Sequence, residues 1–166
     1  MRVAGILIII GVAGLVAGCV SSRSETVRAM SADLMKNGKV ANITVKSVPP
    51  NASAAFAGTV QSQLRESLDL CATGSEALDL EVSITEFKAS DAGMTILVGD
   101  SNNIKGTAKL MRGGETVGDF DISRSVGAGG IAGAIIMSNA EQNTAIGFAT
   151  EVCERAFGRR PAPRRR

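Results

Sequence analysis

The chain has 166 residues, 45% of them apolar and 20% charged, and its net charge at neutral pH is +2. This composition fits one globular domain and excludes collagen-like and disordered classes of protein. The complete absence of histidine also excludes catalytic triads, general bases and metal sites that depend on that residue.

Residues 1–18 have the pattern of a secretory signal peptide. Arg2 supplies a positive start, residues 3–15 are apolar, and small residues follow. A charged start, an apolar centre of this length and a small-residue end are typical of such a leader. An uncleaved membrane anchor is the alternative, but the apolar run is short for a span and is interrupted by glycines.

Cys19 comes directly after this leader. The residues before it resemble the bacterial lipobox: Leu15, Val16, Ala17 and Gly18. The resemblance implies that a lipoprotein signal peptidase cleaves before Cys19 and that Cys19 then carries acyl chains. Each buried methylene contributes about 0.8 kcal/mol, so more than one chain gives a stable anchor. Val20 stands where some bacterial families place an inner-membrane retention aspartate. The resemblance therefore favours the inner leaflet of the outer membrane, with the domain in the periplasm.

Residues 19–39 are predicted to be a tether with one short helix. Serines and charged residues dominate the first part, and a weakly amphipathic stretch containing Met30 and Leu34 follows. Asn37 and Gly38 provide the stop signal for the helix.

The next part of the chain contains four segments in which apolar and polar residues alternate, the pattern of strands with one buried face. They cover residues 40–48, 78–85, 104–110 and 117–125, and an extension of the second segment to Phe87 or beyond requires a register change. Arg112, Gly113 and Gly114 form the turn that joins the last two.

Two longer segments have the periodicity of amphipathic helices. The first is predicted to be capped by Asn51 or Ser53 and to run to about Leu70. The second runs from about Asn139 to Phe157 and ends at a glycine.

The resulting order, β-α-β-β-β-α, predicts an α+β domain over residues 40–158. One-sided strands and one-sided helices bury their apolar faces best in a two-layer sandwich. Both helices are expected on one face of a mixed, mostly antiparallel four-stranded sheet. The strand before the first helix is expected to pair in parallel with the strand after it.

This layout, together with the lipobox, resembles small bacterial envelope lipoproteins, including the YajG-like group. It is also similar to the periplasmic domain of curli-secretion lipoproteins. The resemblance is one of layout, and it implies no functional residue.

Cys71 and Cys153 remain once Cys19 is assigned to the lipid. Export leads to an oxidising compartment, so this even pair is predicted to form a disulfide. Two buried free thiols are the alternative, because a free cysteine behaves as a small hydrophobic residue.

The segment 127–137 is rich in glycine and isoleucine and contains no charge. It imitates a dinucleotide-binding loop, but no later strand supplies the ribose-binding acid, so we expect no cofactor. Two interpretations remain, a flexible loop or a contact surface for a partner or the membrane. The residues of that surface are Gly129, Gly130, Ile131, Ile135 and Ile136.

The tail, residues 159–166, holds much of the positive charge. Its arginines are Arg159, Arg160, Arg164, Arg165 and Arg166. Without them the domain is acidic, which argues against nucleic acid as a partner. The tail is predicted to be disordered. Either it only aids solubility, or it binds an anionic lipid or lipopolysaccharide.

The sequence therefore predicts a non-enzymatic envelope protein that works by contact with a protein partner, in a structural or accessory role in envelope assembly. No nucleophile stands with a base, and we expect neither catalytic nor metal-binding residues. One alternative is a subunit of an oligomeric outer-membrane secretion or assembly complex. The other is a carrier of a small apolar ligand, but small helix residues such as Ala145 and Ala149 suggest that helices and sheet pack too closely for a cavity.

Overall fold

The structure is a computed structural model that describes residues 19–161, and the predicted leader cleavage motif at Leu15, Val16, Ala17 and Gly18 lies outside those residues. Within this range one sheet packs against helices. The strands are β1 (Cys19–Ser22), β2 (Glu25–Arg28), β3 (Gly38–Ser47), β4 (Glu76–Lys88), β5 (Asp100–Arg112) and β6 (Glu115–Ala128). The helices are α1 (Ala32–Asn37), α2 (Phe56–Cys71), α3 (Ala92–Leu97), α4 (Gly130–Met137) and α5 (Ala140–Phe157).

The strands follow the order β1-β6-β5-β4-β3, and β2 also pairs with β6. Only β3 and β4 run in parallel among the described strands, as predicted for the pair on either side of α2. All other pairs are antiparallel, and β5 and β6 form a long hairpin that turns at Gly113 and Gly114. The α+β class and the mixed, mostly antiparallel sheet are therefore confirmed.

The predicted count of four strands is wrong, because the described sheet has six. Residues 19–39 are not a tether. Cys19 pairs with Gly127 and Glu25 pairs with Asp121, so the N-terminal segment covers the outer edge of β6. An unpaired edge of that length exposes a row of backbone donors and acceptors, and β1 and β2 satisfy them. The short helix was predicted correctly and is capped by the Ser31 side chain.

The core lies between the sheet and the pair α2 and α5. Inward residues of β4, such as Leu80 and Val82, alternate with exposed ones, as the sequence predicts. A register shift follows Ile84, also as predicted. Phe56 of α2 and Phe148 of α5 are completely buried.

The predicted start of α2 is wrong in one respect. Neither Asn51 nor Ser53 caps the helix, since Asn51 donates to the Phe87 carbonyl oxygen and Ser53 donates to Glu141. Both side chains thus fasten the loop to neighbouring elements. The end of α5 agrees with prediction, because Gly158 has φ +64° and its N–H donates back to Glu154.

Two helices were not predicted. The stretch 92–97 forms α3, and most of the glycine-rich segment forms strand and helix rather than an irregular loop. The helix count is five within the described range, not the two of the predicted sandwich plus a short one.

Candidate lipid-anchor site and apolar contact surface

Cys19 is the first residue of β1, and its side chain is exposed with a free thiol. It pairs with Gly127 near the end of β6. The residue that the lipobox marks for acylation therefore stands at one end of the sheet and belongs to the folded domain.

A buried carboxylate fastens this N-terminal strand to the body of the protein. Ser22 donates to Glu151 Oε1 at 2.5 Å, although the two residues are 129 positions apart. Glu151 lies on the buried side of α5, and its side chain is only 2% exposed. The hydroxyl of Ser24, just after β1, also hydrogen-bonds backbone groups of Ser123, which fastens the segment between β1 and β2 to β6.

Two arginines complete the environment of Glu151. Arg124 Nη1 lies 2.9 Å from Oε2, and Arg155 Nε lies 3.0 Å from Oε1. Arg124 reaches the carboxylate across Gly147, where an added Cβ would lie 3.0 Å from Arg124 Cδ. A glycine in mid-helix costs stability, and here it leaves room for the guanidinium.

The pKa of Glu151 reflects this environment. Burial raises it, but hydrogen bonds from Ser22, Arg155 and Ser24 and the charge of Arg124 lower it further, so the pKa ends below its ordinary value. Glu151 is thus ionised at neutral pH and is a structural anion. Glu151 was not among the residues predicted from the sequence. The available signal was a pair of opposite charges at inward positions, Arg124 in the alternation of β6 and Glu151 in the stripe of α5.

The helices α3 and α4 pack against each other at the same end of the sheet as Cys19. Their outer surface is apolar, and we call it the apolar tip. Leu97 is 79% exposed and Ile131 is 71% exposed. The apolar tip consists of Met94, Ile96, Leu97, Val98, Ile131, Ile135 and Ile136.

The predicted contact residues Ile131, Ile135 and Ile136 all belong to this tip. Gly129 is the N-cap residue of α4, and Gly130 begins the helix with φ +73°, a conformation that favours glycine. These two glycines therefore turn the chain from β6 into α4 and are not themselves the apolar surface.

Asn102 holds the two helices of the tip together. Its side chain is completely buried, its oxygen accepts from the Ser90 N–H at 2.6 Å, and its Nδ2 donates to the Met137 carbonyl oxygen at 3.2 Å. Ser90 lies before α3 and Met137 ends α4, so one amide joins the base of both helices.

Asp100 supports the same base. A hydrogen bond from Lys88, with further bonds from the N–H groups of Asp91 and Ser101, lowers the pKa of Asp100 to about 2, although burial opposes the shift. The base of the tip therefore carries an ion pair, Lys88 with Asp100, at 2.8 Å.

The cysteine pair is a disulfide in the structure. Cys71 ends α2 and Cys153 lies in α5, and their sulfur atoms are bonded across a sequence separation of 82 residues. The bond joins the two helices that cover the sheet.

Only the start of the tail lies within the described residues. Arg159 donates to the Thr73 hydroxyl at 3.0 Å, and Arg160 pairs with Glu154 at 2.6 Å. Both guanidiniums thus contact the domain at the C-terminal end of α5. Arg164, Arg165 and Arg166 lie outside the described residues.

A groove of about 820 Å³ lies between α2 and the start of α5 in the described part of the chain. Polar side chains such as Thr59 and Gln63 line it together with apolar ones such as Phe87 and Ala140. Residues 19–161 also hold no cluster of three or more acidic or cysteine side chains that could bind a metal, and none of their helices has the length and apolar character needed to cross a membrane.

Comparison with known proteins defines the fold and no more. No family model matches the chain, and no curated protein matches it. A solved variant of the PelC dodecamer from Paraburkholderia phytofirmans has a TM-score of 0.51 and 11% identity, over 85% of this chain and 100% of that chain. Another crystal form of that PelC dodecamer has a TM-score of 0.49 and 10% identity, over 86% and 100%. A candidate lipoprotein from Caulobacter crescentus CB15 has a TM-score of 0.44 and 16% identity, over 67% and 84%.

Proposed function

We propose that the protein is a lipid-anchored component of the bacterial envelope, with its domain in the periplasm at the outer membrane. It works without catalysis, in a structural or accessory role in envelope assembly. The exposed thiol of Cys19, directly after a lipobox-like leader, carries the proposal. Cys71 and Cys153 are bonded to each other, which leaves Cys19 as the one thiol of the chain open to acylation.

The disulfide supports export, because such bonds persist in oxidising compartments and are rare in the cytosol. The absence of histidine from the sequence and the full engagement of Glu151 in hydrogen bonds and ion pairs support a role without chemistry. A carboxylate that must act as a base needs a free lone pair and a pKa near the working pH. The pKa of Glu151 is lowered instead, and its oxygens already accept from Ser22, Arg124 and Arg155.

Acylation is tested by labelling cells with radioactive palmitate and isolating the protein. The wild type should carry label and sediment with outer-membrane fractions, and Cys19→Ala should lose the label. The matched control is Cys71→Ala with Cys153→Ala, which removes two thiols and should keep the label. An unlabelled wild type, with an intact leader by mass spectrometry, would overturn the proposal.

A second candidate is a subunit of a homo-oligomeric envelope complex. It is favoured by the likeness of the fold to PelC, which was solved as a dodecamer. Among residues 19–161 no further strand pairs with the outer edge of β1, and every side chain of β1 is exposed. The mass of the acylated protein in detergent, measured by light scattering, tests this candidate, because a monomer would exclude it.

A further inference from the structure

We propose that the apolar tip is inserted into the same membrane that holds the acyl chains of Cys19. The occupant of this surface is therefore lipid, and neither a protein partner nor a second copy of the chain covers it. The inference rests on the proposed acylation of Cys19 and extends it to the orientation of the whole domain.

Cys19 and the apolar tip lie at the same end of the sheet. Cys19 pairs with Gly127, and α4 begins three residues later at Gly130. On the next strand, Asp100 pairs with Ala128, and Val98 of the tip lies two residues before it. Acyl chains on Cys19 draw this end of the sheet to the bilayer surface, and the apolar tip is brought there with it.

The residue composition of the apolar tip also suits insertion into lipid. Neither 92–99 nor 129–137 contains a charged residue. The nearest charges are satisfied within the protein, since Lys88 pairs with Asp100 and the Asp91 carboxylate accepts from the Met94 N–H. An apolar surface beside paired charges is suited to the boundary between acyl chains and headgroups.

The backbone carbonyl groups at the C-terminal end of α4 are also suited to lipid. The last carbonyl groups of a helix have no partner within the helix, and an unsatisfied carbonyl is costly in lipid, where water cannot replace the partner. Here three consecutive carbonyl oxygens accept side-chain donors. Ile135 accepts from Ser138 and Ile136 from Asn143, each at 2.8 Å. Met137 accepts from Asn102 at 3.2 Å. This part of the tip thus enters lipid without leaving those oxygens unpaired.

Insertion is tested with a polarity-sensitive fluorophore on the full-length, acylated protein. The variants Ile131→Cys and Leu97→Cys place the fluorophore on the two helices of the tip, and both positions are well exposed. Cys71 and Cys153 are bonded and Cys19 is acylated, so the new thiol alone reacts. Glu115→Cys is the matched control, because this exposed residue lies at the opposite end of the β5–β6 hairpin.

The labelled proteins are reconstituted into phosphatidylethanolamine and phosphatidylglycerol vesicles that contain spin-labelled lipid. We expect blue-shifted emission and quenching at residues 97 and 131 and neither change at residue 115. A blue shift without quenching by lipid would indicate a protein contact and overturn the inference. Emission typical of water at all three sites would also overturn the inference. If mass spectrometry confirms acylation in that case, the proposed function stays intact. A chain without acyl groups would overturn both.

Discussion

Glu151 joins three parts of the molecule that are far apart in the sequence: strand β1 through Ser22, strand β6 through Arg124, and its own helix through Arg155. A buried ion pair adds little net stability when both charges are present, since desolvation offsets the attraction. Removal of one partner is costly, because the other charge stays buried. Arg124 is only 9% exposed and cannot turn out to water without breaking the fit of α5 on β6.

We therefore expect Glu151→Gln to lower the free energy of unfolding by about 3 kcal/mol. Denaturant titration followed by circular dichroism measures this loss. The control is Glu154→Gln, which breaks the exposed pair with Arg160 and should cost about 0.5 kcal/mol. Equal losses in the two variants would show that the buried network has no special weight.

The ion pair at the base of the tip gives a pH prediction. The pKa of Asp100 is about 2 in the folded protein, below its ordinary value of 3.8. A lowered pKa contributes stability at pH values above the unfolded pKa, and this contribution disappears as the pH falls through the folded one. Asp100→Asn should therefore weaken the tip at neutral pH and cease to matter near pH 2. Hydrogen exchange of α3 and α4 amides measures the effect, and a difference that persists in acid would contradict it.

At the scale of the elements, the sequence predicted those with one buried and one exposed face. The strands β3 to β6 and the helices α2 and α5 each have an apolar period, because the core selects apolar residues at inward positions. The strands β1 and β2 have no such period, since all their side chains are exposed. Backbone pairing with β6 and polar contacts of Ser22 and Arg28 place them, and neither requires apolar residues. The helices α3 and α4 were missed because α3 is short and α4 is apolar on all sides, which gives no helical stripe.

The candidate site was predictable to a similar extent. The disulfide pair followed from compartment and parity, while the lipidation of Cys19 stays a prediction from its motif. The exposed apolar segment was located, but helix α3 beside it was not, because proximity of residues 92–98 to residues 129–137 arises from the pairing of β5 with β6.

The disulfide between Cys71 and Cys153 gives a prediction about the free energy of unfolding. A bond across 82 residues reduces the conformational entropy of the unfolded chain, by about 4 to 5 kcal/mol in free energy on the loop-entropy account. Cys71→Ala with Cys153→Ala should lower the free energy of unfolding by about that amount. Reduction of the wild type with dithiothreitol should have the same effect. An unchanged denaturation midpoint would refute the prediction.

The buried amide of Asn102 gives a prediction about the stability of the apolar tip. Asn102→Ala leaves the Ser90 N–H and the Met137 carbonyl oxygen without their partner, and each unsatisfied buried group costs about 1 to 3 kcal/mol. We expect α3 and α4 to exchange amide hydrogens faster, with α2 and α5 little changed. Asn103→Ala is the control, because Asn103 lies on the opposite face of β5 and is partly exposed. A similar acceleration in both variants would argue against the role of Asn102.

On the scale of the whole molecule, helix α5 separates the apolar tip from Arg159 and Arg160 at the start of the tail. Helix α5 has 18 residues and runs from the end of the apolar tip to the start of the tail. At 1.5 Å per residue it spans about 27 Å. Residues 162–166 extend at most about 17 Å when fully stretched. We therefore expect the arginines among them to bind an anionic surface other than the membrane that the apolar tip is proposed to enter.

Truncation after Pro161 tests this arrangement. Acylated protein in neutral vesicles should recruit anionic vesicles at low salt and cause clustering, since each arginine near an anionic surface contributes about 1 kcal/mol. The truncated protein should lose the clustering and keep the quenching of a fluorophore at residue 131. Clustering that survives truncation would exclude the last three arginines as the cause.

The place of Cys19 inside β1 has one more consequence. Many lipid-anchored domains are joined to their anchor by a long flexible linker and sample a wide volume around the attachment point. In the proposed function Cys19 is the anchoring residue, and it is already paired in the sheet, so no flexible linker separates the anchor from the domain. On that proposal we expect a partner to approach the bilayer to within the height of one small domain and to meet the same side of that domain each time.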